Sequence, residues 1–163
     1  MRLWRVLKAK YAPTGAAAFA GTGGLYAHGR WHSRGRPICY SASSEALAKL
    51  EALVHLPPPG EPSLPSIRWA LVEAVISDRL VESLPASRLP RGWDEVPDAG
   101  SGRRVGDAWL TSGRSVALAV PSIHSRSEKN VLINPAHAAF ARVKIHPPVE
   151  FSFDGRLLDS STR

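Results

Sequence analysis

The sequence predicts an α+β fold, a compact domain of short strands with few helices. Three observations carry this expectation. At 163 residues the chain has the size of one domain, enough to bury about 70% of its unfolded surface. Its apolar runs are short and rich in β-branched residues, and glycine or proline stands between them. One segment alone, from Ser43 or Ser44 to about His55, combines a capping residue, an acid in the first turn and helical spacing.

Taken in order, Leu3–Leu7 alternates as a first strand, with Arg5 on the face opposite Trp4 and Val6. Gly15, Gly21, Gly23 and Gly24 then predict a glycine-rich loop between Ala9 and Arg30, and Pro37–Ser41 a second strand. In the helix that follows, Ala46, Leu47, Leu50, Leu53 and Val54 make one stripe at about 100° per residue. Glu51 lies on the flank of that stripe, so Leu50 is expected inside and Glu51 at the edge. Leu56–Pro65 contains five prolines and is expected as a loop. Ile67–Ile76 suits a buried strand, Pro85–Arg104 is loop-like, and Gly106–Thr111 suits a short helix. Ser115–Val120, Val131–Ile133, Ala141–His146 and Val149–Phe153 complete the strands. With no repeat and no strong break, residues 1–163 are expected to form one domain, with a site lined by its long loops.

Apolar residues at 44% and charged residues at 21% match ordinary globular usage and exclude a fibrous or disordered chain. No run approaches the ~20 apolar residues of a membrane span, and the start MRLWRVLKAK alternates charge and apolarity where a signal peptide would not. A cytoplasmic protein with no membrane partner is expected. The single cysteine, Cys39, cannot form an internal disulfide. A net charge of +7 calls for an anionic partner: nucleic acid, an acidic protein or a phosphate-bearing small molecule. The basic residues never form a run of four, which weakens the nucleic-acid reading.

Two constellations could carry chemistry. In the first, Arg30 of Gly29-Arg30-Trp31, Tyr40 and Glu51 bring together a guanidinium fork for phosphate, an aromatic face for stacking and a carboxylate able to stabilise developing positive charge. Read alone, these residues are more readily a surface charge, a strand tyrosine with a wet hydroxyl and a solvated helix acid. In the second, Ser122 of Val120-Pro121-Ser122 is followed by Asn130 and Asn134. Ser122 lacks a G-x-S-x-G elbow, and His124 two residues on does not make a triad. His28, His32, Cys39 and His55 match no metal-ligand spacing, so no metal is expected.

The succession GTGGLYAHGRWHSRGRPICYSASSEALAKLEALVH, then VPS, then NVLINPAH and FSFDGRL, resembles the RES domain, named for an Arg, a Glu and a Ser. The likeness spans about residues 5–157. Arg30, Tyr40, Glu51 and Ser122 match the family's arginine, tyrosine, glutamate and serine, and Arg5 and Tyr26 fall near further pocket positions. His32 departs from the asparagine that many relatives carry after GRW.

The resemblance implies a fold similar to ADP-ribosyltransferase toxins and a toxin that degrades NAD by hydrolysis, by phosphorolysis or by ADP-ribosyl transfer. It implies Arg30, Tyr40, Glu51 and Ser122 as catalytic residues, and Arg5, Tyr26, Arg30, Tyr40 and Ser122 as NAD contacts. NAD would be the substrate, with no resident cofactor and with phosphate as an optional co-substrate. An Xre-like helix-turn-helix antitoxin would cover the active site, a homodimer within that complex being open, and DNA would be bound only through the antitoxin. A basic nucleic-acid-binding or RNA-cleaving toxin and a non-enzymatic interaction module are the alternatives.

Overall fold

A computed structural model describes residues 1–56 and 67–157. Among them eight strands form one mixed sheet: β1 (Arg2–Lys8), β2 (Cys39–Ala42), β3 (Trp69–Val75), β4 (Val81–Ser83), β5 (Ala117–Pro121), β6 (Lys129–Ile133), β7 (Lys144–Ile145) and β8 (Val149–Phe151). The order is β4-β5-β6-β2-β1-β3-β7, with β8 also on β3; β4 and β5 run parallel and the other pairs antiparallel. Among the described residues four α-helices accompany it: α1 (Gly15–Phe19), α2 (Gly23–Tyr26), α3 (Glu45–Val54) and α4 (Ser101–Ser112). The predicted α+β class is observed.

The strand β5 shows why its sequence is apolar without alternation. Ala117 and Ala119 face one core with Leu3, Phe19, Val72 and Val131, whereas Leu118 and Val120 face a second with Trp31, Trp109 and Leu132. Both faces are covered, so neither can be polar. The second core is closed by α4, whose Gly106 lies so near the Trp31 carbonyl that an added Cβ would stand 1.8 Å from its oxygen. Only glycine permits that approach, which brings the Gly29-Arg30-Trp31 segment against the helix.

The sheet is weakest at its middle. The β1–β3 ladder runs from Arg2↔Val75 to Lys8↔Trp69, but β1 and β2 register only at Trp4↔Ala42. The strands part beyond that pair, and α3 packs over the seam with Leu47 and Ala48 against Trp4, Val6 and Ala42. The Ser44 hydroxyl caps α3 by accepting from the Leu47 N–H at 3.0 Å, as its sequence predicts.

The structure corrects several expectations. The buried face of α3 is Leu47 and Ala48, while Leu50 and Val54 are 38% and 46% exposed, so the helix is turned away from the predicted stripe and Glu51 comes inward. The glycine-rich segment contains α1 and α2: Thr14 caps α1 through the Ala17 N–H, Gly15, Gly23 and Gly24 lie within the helices, and Gly21, at φ 70°, turns the chain between them. The helix α4 is longer than expected at both ends, and β4 was not predicted at all. Ala138–Arg142 is a 3-10 turn, leaving only Lys144–Ile145 of the predicted 141–146 strand. The proline-rich loop lies, from residue 57 on, outside the described residues.

Candidate active site

A cleft of about 660 Å³ opens where β1 and β2 part, a volume within the usual range for ligand pockets. Strands, not only loops, line it: Arg5 and Lys8 come from β1, Tyr40 from β2 and Glu51 from α3, with Arg30 and Asp98 from loops.

At one end stands Glu51. Its Oε1 accepts from the Ser122 hydroxyl at 3.0 Å and from the Asn130 amide at 2.7 Å. Asn130 lies on β6, and Ser122 directly follows β5 and is buried, so two neighbouring strands aim their donors at one oxygen. The Ser122 oxygen also accepts from the His124 N–H, which fixes its rotamer and commits its proton to Glu51. The Ser122 hydroxyl thereby helps to hold the Glu51 carboxylate in one orientation. His124 Nε2 stands 3.8 Å from the other Glu51 oxygen, which accepts no hydrogen bond among the described residues.

At the other end Arg30 gives its protons to backbone. Its guanidinium donates to the Trp93 carbonyl at 2.7 Å and, through two nitrogens, to the Glu95 carbonyl at 3.1 Å, with Asp98 3.7 Å away. Asp98 accepts from the Gly100 N–H and, at 2.9 Å, from Arg103, which also donates to the Gly29 carbonyl. Burial opposes the charge on Asp98, but the Gly100 and Arg103 hydrogen bonds and the Arg30 and Arg103 charges hold its carboxyl below the usual carboxylate range.

Tyr40 lies between the two ends. Its hydroxyl bonds the Trp31 N–H at 3.1 Å and His32 Nδ1 at 2.7 Å, so it is not wet, and burial pushes the phenol above its ordinary value. Arg5 fills the gap between the parted strands, donating to the Tyr40 carbonyl at 2.8 Å and to Cys39 Sγ at 2.9 Å; its Nε is buried without a partner. Burial also raises the Cys39 thiol, against the Arg5 charge. Tyr26 is not brought in: it ends α2, 75% exposed and outside the cleft lining.

Sequence reasoning brought Glu51, Ser122 and Asn130 forward but did not join them, and it passed over Asp98 and Arg103. One signal for the latter pair was legible. Asp98 followed by Gly100 before a helix is an Asx-turn pattern, and the Gly100 N–H does donate to Asp98. Among the described residues, no group of three or more His, Cys, Asp or Glu stands close enough to hold a metal, and no helix is long and apolar enough to cross a membrane.

The family model described as the RES domain matches residues 2–154. This chain belongs to the RES domain family. It is 33% identical to the protein named Toxin Res of Photorhabdus laumondii subsp. laumondii over 97% of each chain. It is 36% identical to the Toxin Res of Pseudomonas putida over 96% of this chain and 99% of that one. With the Prs ADP-ribosylating toxin of Sphingobium sp. it shares 37% identity over 85% of this chain and 86% of that one. The fold also matches a chain of the crystal structure of the M. tuberculosis MbcT–MbcA toxin–antitoxin complex, with a TM-score of 0.69 over 93% of this chain and 84% of that one at 14% identity. The chain is thus a RES-domain toxin with the fold seen in that complex.

Proposed function

We propose that this toxin cleaves the bond between nicotinamide and ribose in NAD, and that an Xre-like antitoxin restrains it by covering the cleft. The observation that carries the reading is the Glu51 carboxylate, oriented by Ser122 and Asn130 with its second oxygen left for a ligand. When nicotinamide departs with the bonding pair, positive charge grows on the ribose. A carboxylate oriented beforehand stabilises that charge more in the transition state than in the ground state. The Tyr40 ring would pack against the nicotinamide or its ribose, and Ser122 would act through Glu51. Arg5 and Arg30 would supply positive potential for the diphosphate, Arg30 by its charge while its donors rest on carbonyls. A relative named an ADP-ribosylating toxin fits this chemistry, and a structural neighbour solved as a toxin–antitoxin complex fits the restraint.

Purified protein incubated with NAD should release nicotinamide, and NAD left intact would overturn the reading. Running the assay with and without phosphate, and with labelled ADP-ribose followed onto protein, separates the three acceptors. In cells, NAD should fall before protein synthesis does. A complex with its antitoxin should cleave far more slowly than the free chain; equal rates would refute coverage of the cleft.

A further inference from the structure

His32 is 5% exposed and belongs neither to the Glu51 cluster nor to the Arg30 network. Its two ring nitrogens have partners that fix its tautomer. Nε2 lies 3.0 Å from the Ala27 carbonyl, which can only accept, so Nε2 carries a hydrogen. Nδ1 of the neutral ring is then bare, and it lies 2.7 Å from the Tyr40 hydroxyl, so the phenol is the donor. The Trp31 N–H donates into the same oxygen at 3.1 Å. Gly29 closes the remaining approach, since a Cβ there would stand 2.7 Å from that oxygen. The loop that bears Arg30 is therefore folded around one phenol oxygen, and the proton of that phenol is already given away.

We propose that His32 is a positioning residue for Tyr40, holding the phenol proton at Nδ1 so that Tyr40 presents the cleft with a fixed ring and no hydroxyl donor. For catalysis this rests on the NAD-cleaving reading; the tautomer does not. A protonated His32 would set Nδ1–H against the phenol oxygen and force the Tyr40 proton to find another acceptor. The groups facing His32 are Tyr40 from β2, Asp107 and Arg103 from α4, His28 from its own loop and the uncharged Gly24 of α2. Burial and the charges of His28 and Arg103 hold the imidazole below its ordinary value, outweighing the Ala27 carbonyl and Asp107. Asp107 already accepts from Ser33 and pairs with Arg36 at 3.2 Å. Because the folded value is lowered, this stability is full above the ordinary histidine value of about 6.5 and is lost as pH falls from there through the folded value.

Two substitutions separate positioning from space filling. In His32→Asn the side-chain oxygen can occupy the place of Nδ1, accept from Tyr40 and never titrate. In His32→Gln the amide reaches the place of Nε2, keeping the Ala27 contact and losing Tyr40. His32→Gln should cleave NAD roughly 10- to 100-fold more slowly, the cost of stranding a buried donor. His32→Asn should recover most of that rate and lose the acid-side fall in kcat expected of the native chain. Equal activity of the two variants, or an unchanged acid limb in His32→Asn, would overturn the proposal. Nitrogen-15 NMR of the histidine rings at neutral pH should find His32 protonated at Nε2 and bare at Nδ1; the opposite tautomer or a charged ring would overturn it independently of any activity. A native chain that left NAD intact would refute the proposed function, while the NMR result would still decide the tautomer.

Discussion

At one end of the cleft the Glu51 carboxylate is held by neutral donors, Ser122 and Asn130; at the other the Arg30 guanidinium is held by neutral acceptors, the carbonyls of Trp93 and Glu95. The neutral partners cancel neither charge, although the Asp98 carboxylate stands 3.7 Å from Arg30, and the two ends leave different resources. Glu51 keeps one oxygen without a hydrogen bond among the described residues, so it can respond as charge develops on a ligand. Arg30 has tied its fork to segment 93–95, so removing it should first loosen a wall. Arg30 and Glu51 should therefore fail in different ways when changed, and that difference can be tested.

The largest effect is expected at the Glu51 end. Glu51→Gln keeps an acceptor for Ser122 and Asn130 and removes only the charge, so kcat should fall on the order of 10²–10³ while the melting temperature barely moves. Calorimetry beside a nicotinamide-release assay checks both. Near-native cleavage by a variant that melts normally would remove Glu51 from the chemistry.

Next come the two donors. A hydrogen bond to a charged group is worth about 1.5–3 kcal/mol, so Ser122→Ala or Asn130→Ala should each lower kcat/KM by roughly 10- to 100-fold. Both act on Oε1 of Glu51, so the double variant should lose less than the product of the single losses. Independent, multiplying losses would mean that one donor serves a ligand instead.

Arg30→Lys tests the other end. Lysine keeps the charge but cannot spread its protons over two carbonyls as the planar fork does. A stability loss of about 1–2 kcal/mol is expected, with faster amide exchange around Trp93–Asp98 and little change near Glu51. If cleavage were abolished while exchange stayed as in the native chain, Arg30 would be acting on the substrate through its donors.

How much of this was legible in the sequence follows the range over which each feature is determined. The α+β class, the Ser44 cap and the strands Cys39–Ala42 and Lys129–Ile133 rest on local patterns and are observed near their predicted positions. The pairing of Asp98 with Arg103 and Arg30 rests on a loop returning across the cleft, which no local pattern encodes beyond the Asx turn. The Tyr40 hydroxyl looked free because its partners, Trp31 and His32, sit on a loop whose shape depends on Gly106 of a distant helix. The orientation of α3 misled for a different reason. Counting apolar residues finds the face turned to a core, whereas the inward side of α3 also borders an open cleft, to which it presents Glu51 and His55 beside Ala48 and Ala52.

The smallest effect decides that orientation. On the stripe read from the sequence, Leu50→Ala would empty a core position and cost about 2–5 kcal/mol, as buried Leu-to-Ala changes do. In the structure Leu50 is 38% exposed and Leu47 is 1% exposed. Leu50→Ala should therefore shift stability by no more than about 0.5 kcal/mol, the usual range for surface positions, since alanine also favours a helix. Leu47→Ala should show the core penalty in its place. Chemical denaturation of the two variants measures both values. The contrast also bears on Glu51: residues 47 and 51 lie four apart and share a helix face, so a buried Leu47 carries Glu51 inward toward Ser122 and Asn130. A loss at Leu50 as large as that at Leu47 would put both leucines on the buried face, as the apolar stripe has them, swing Glu51 out of the cleft and leave the two donors without their carboxylate.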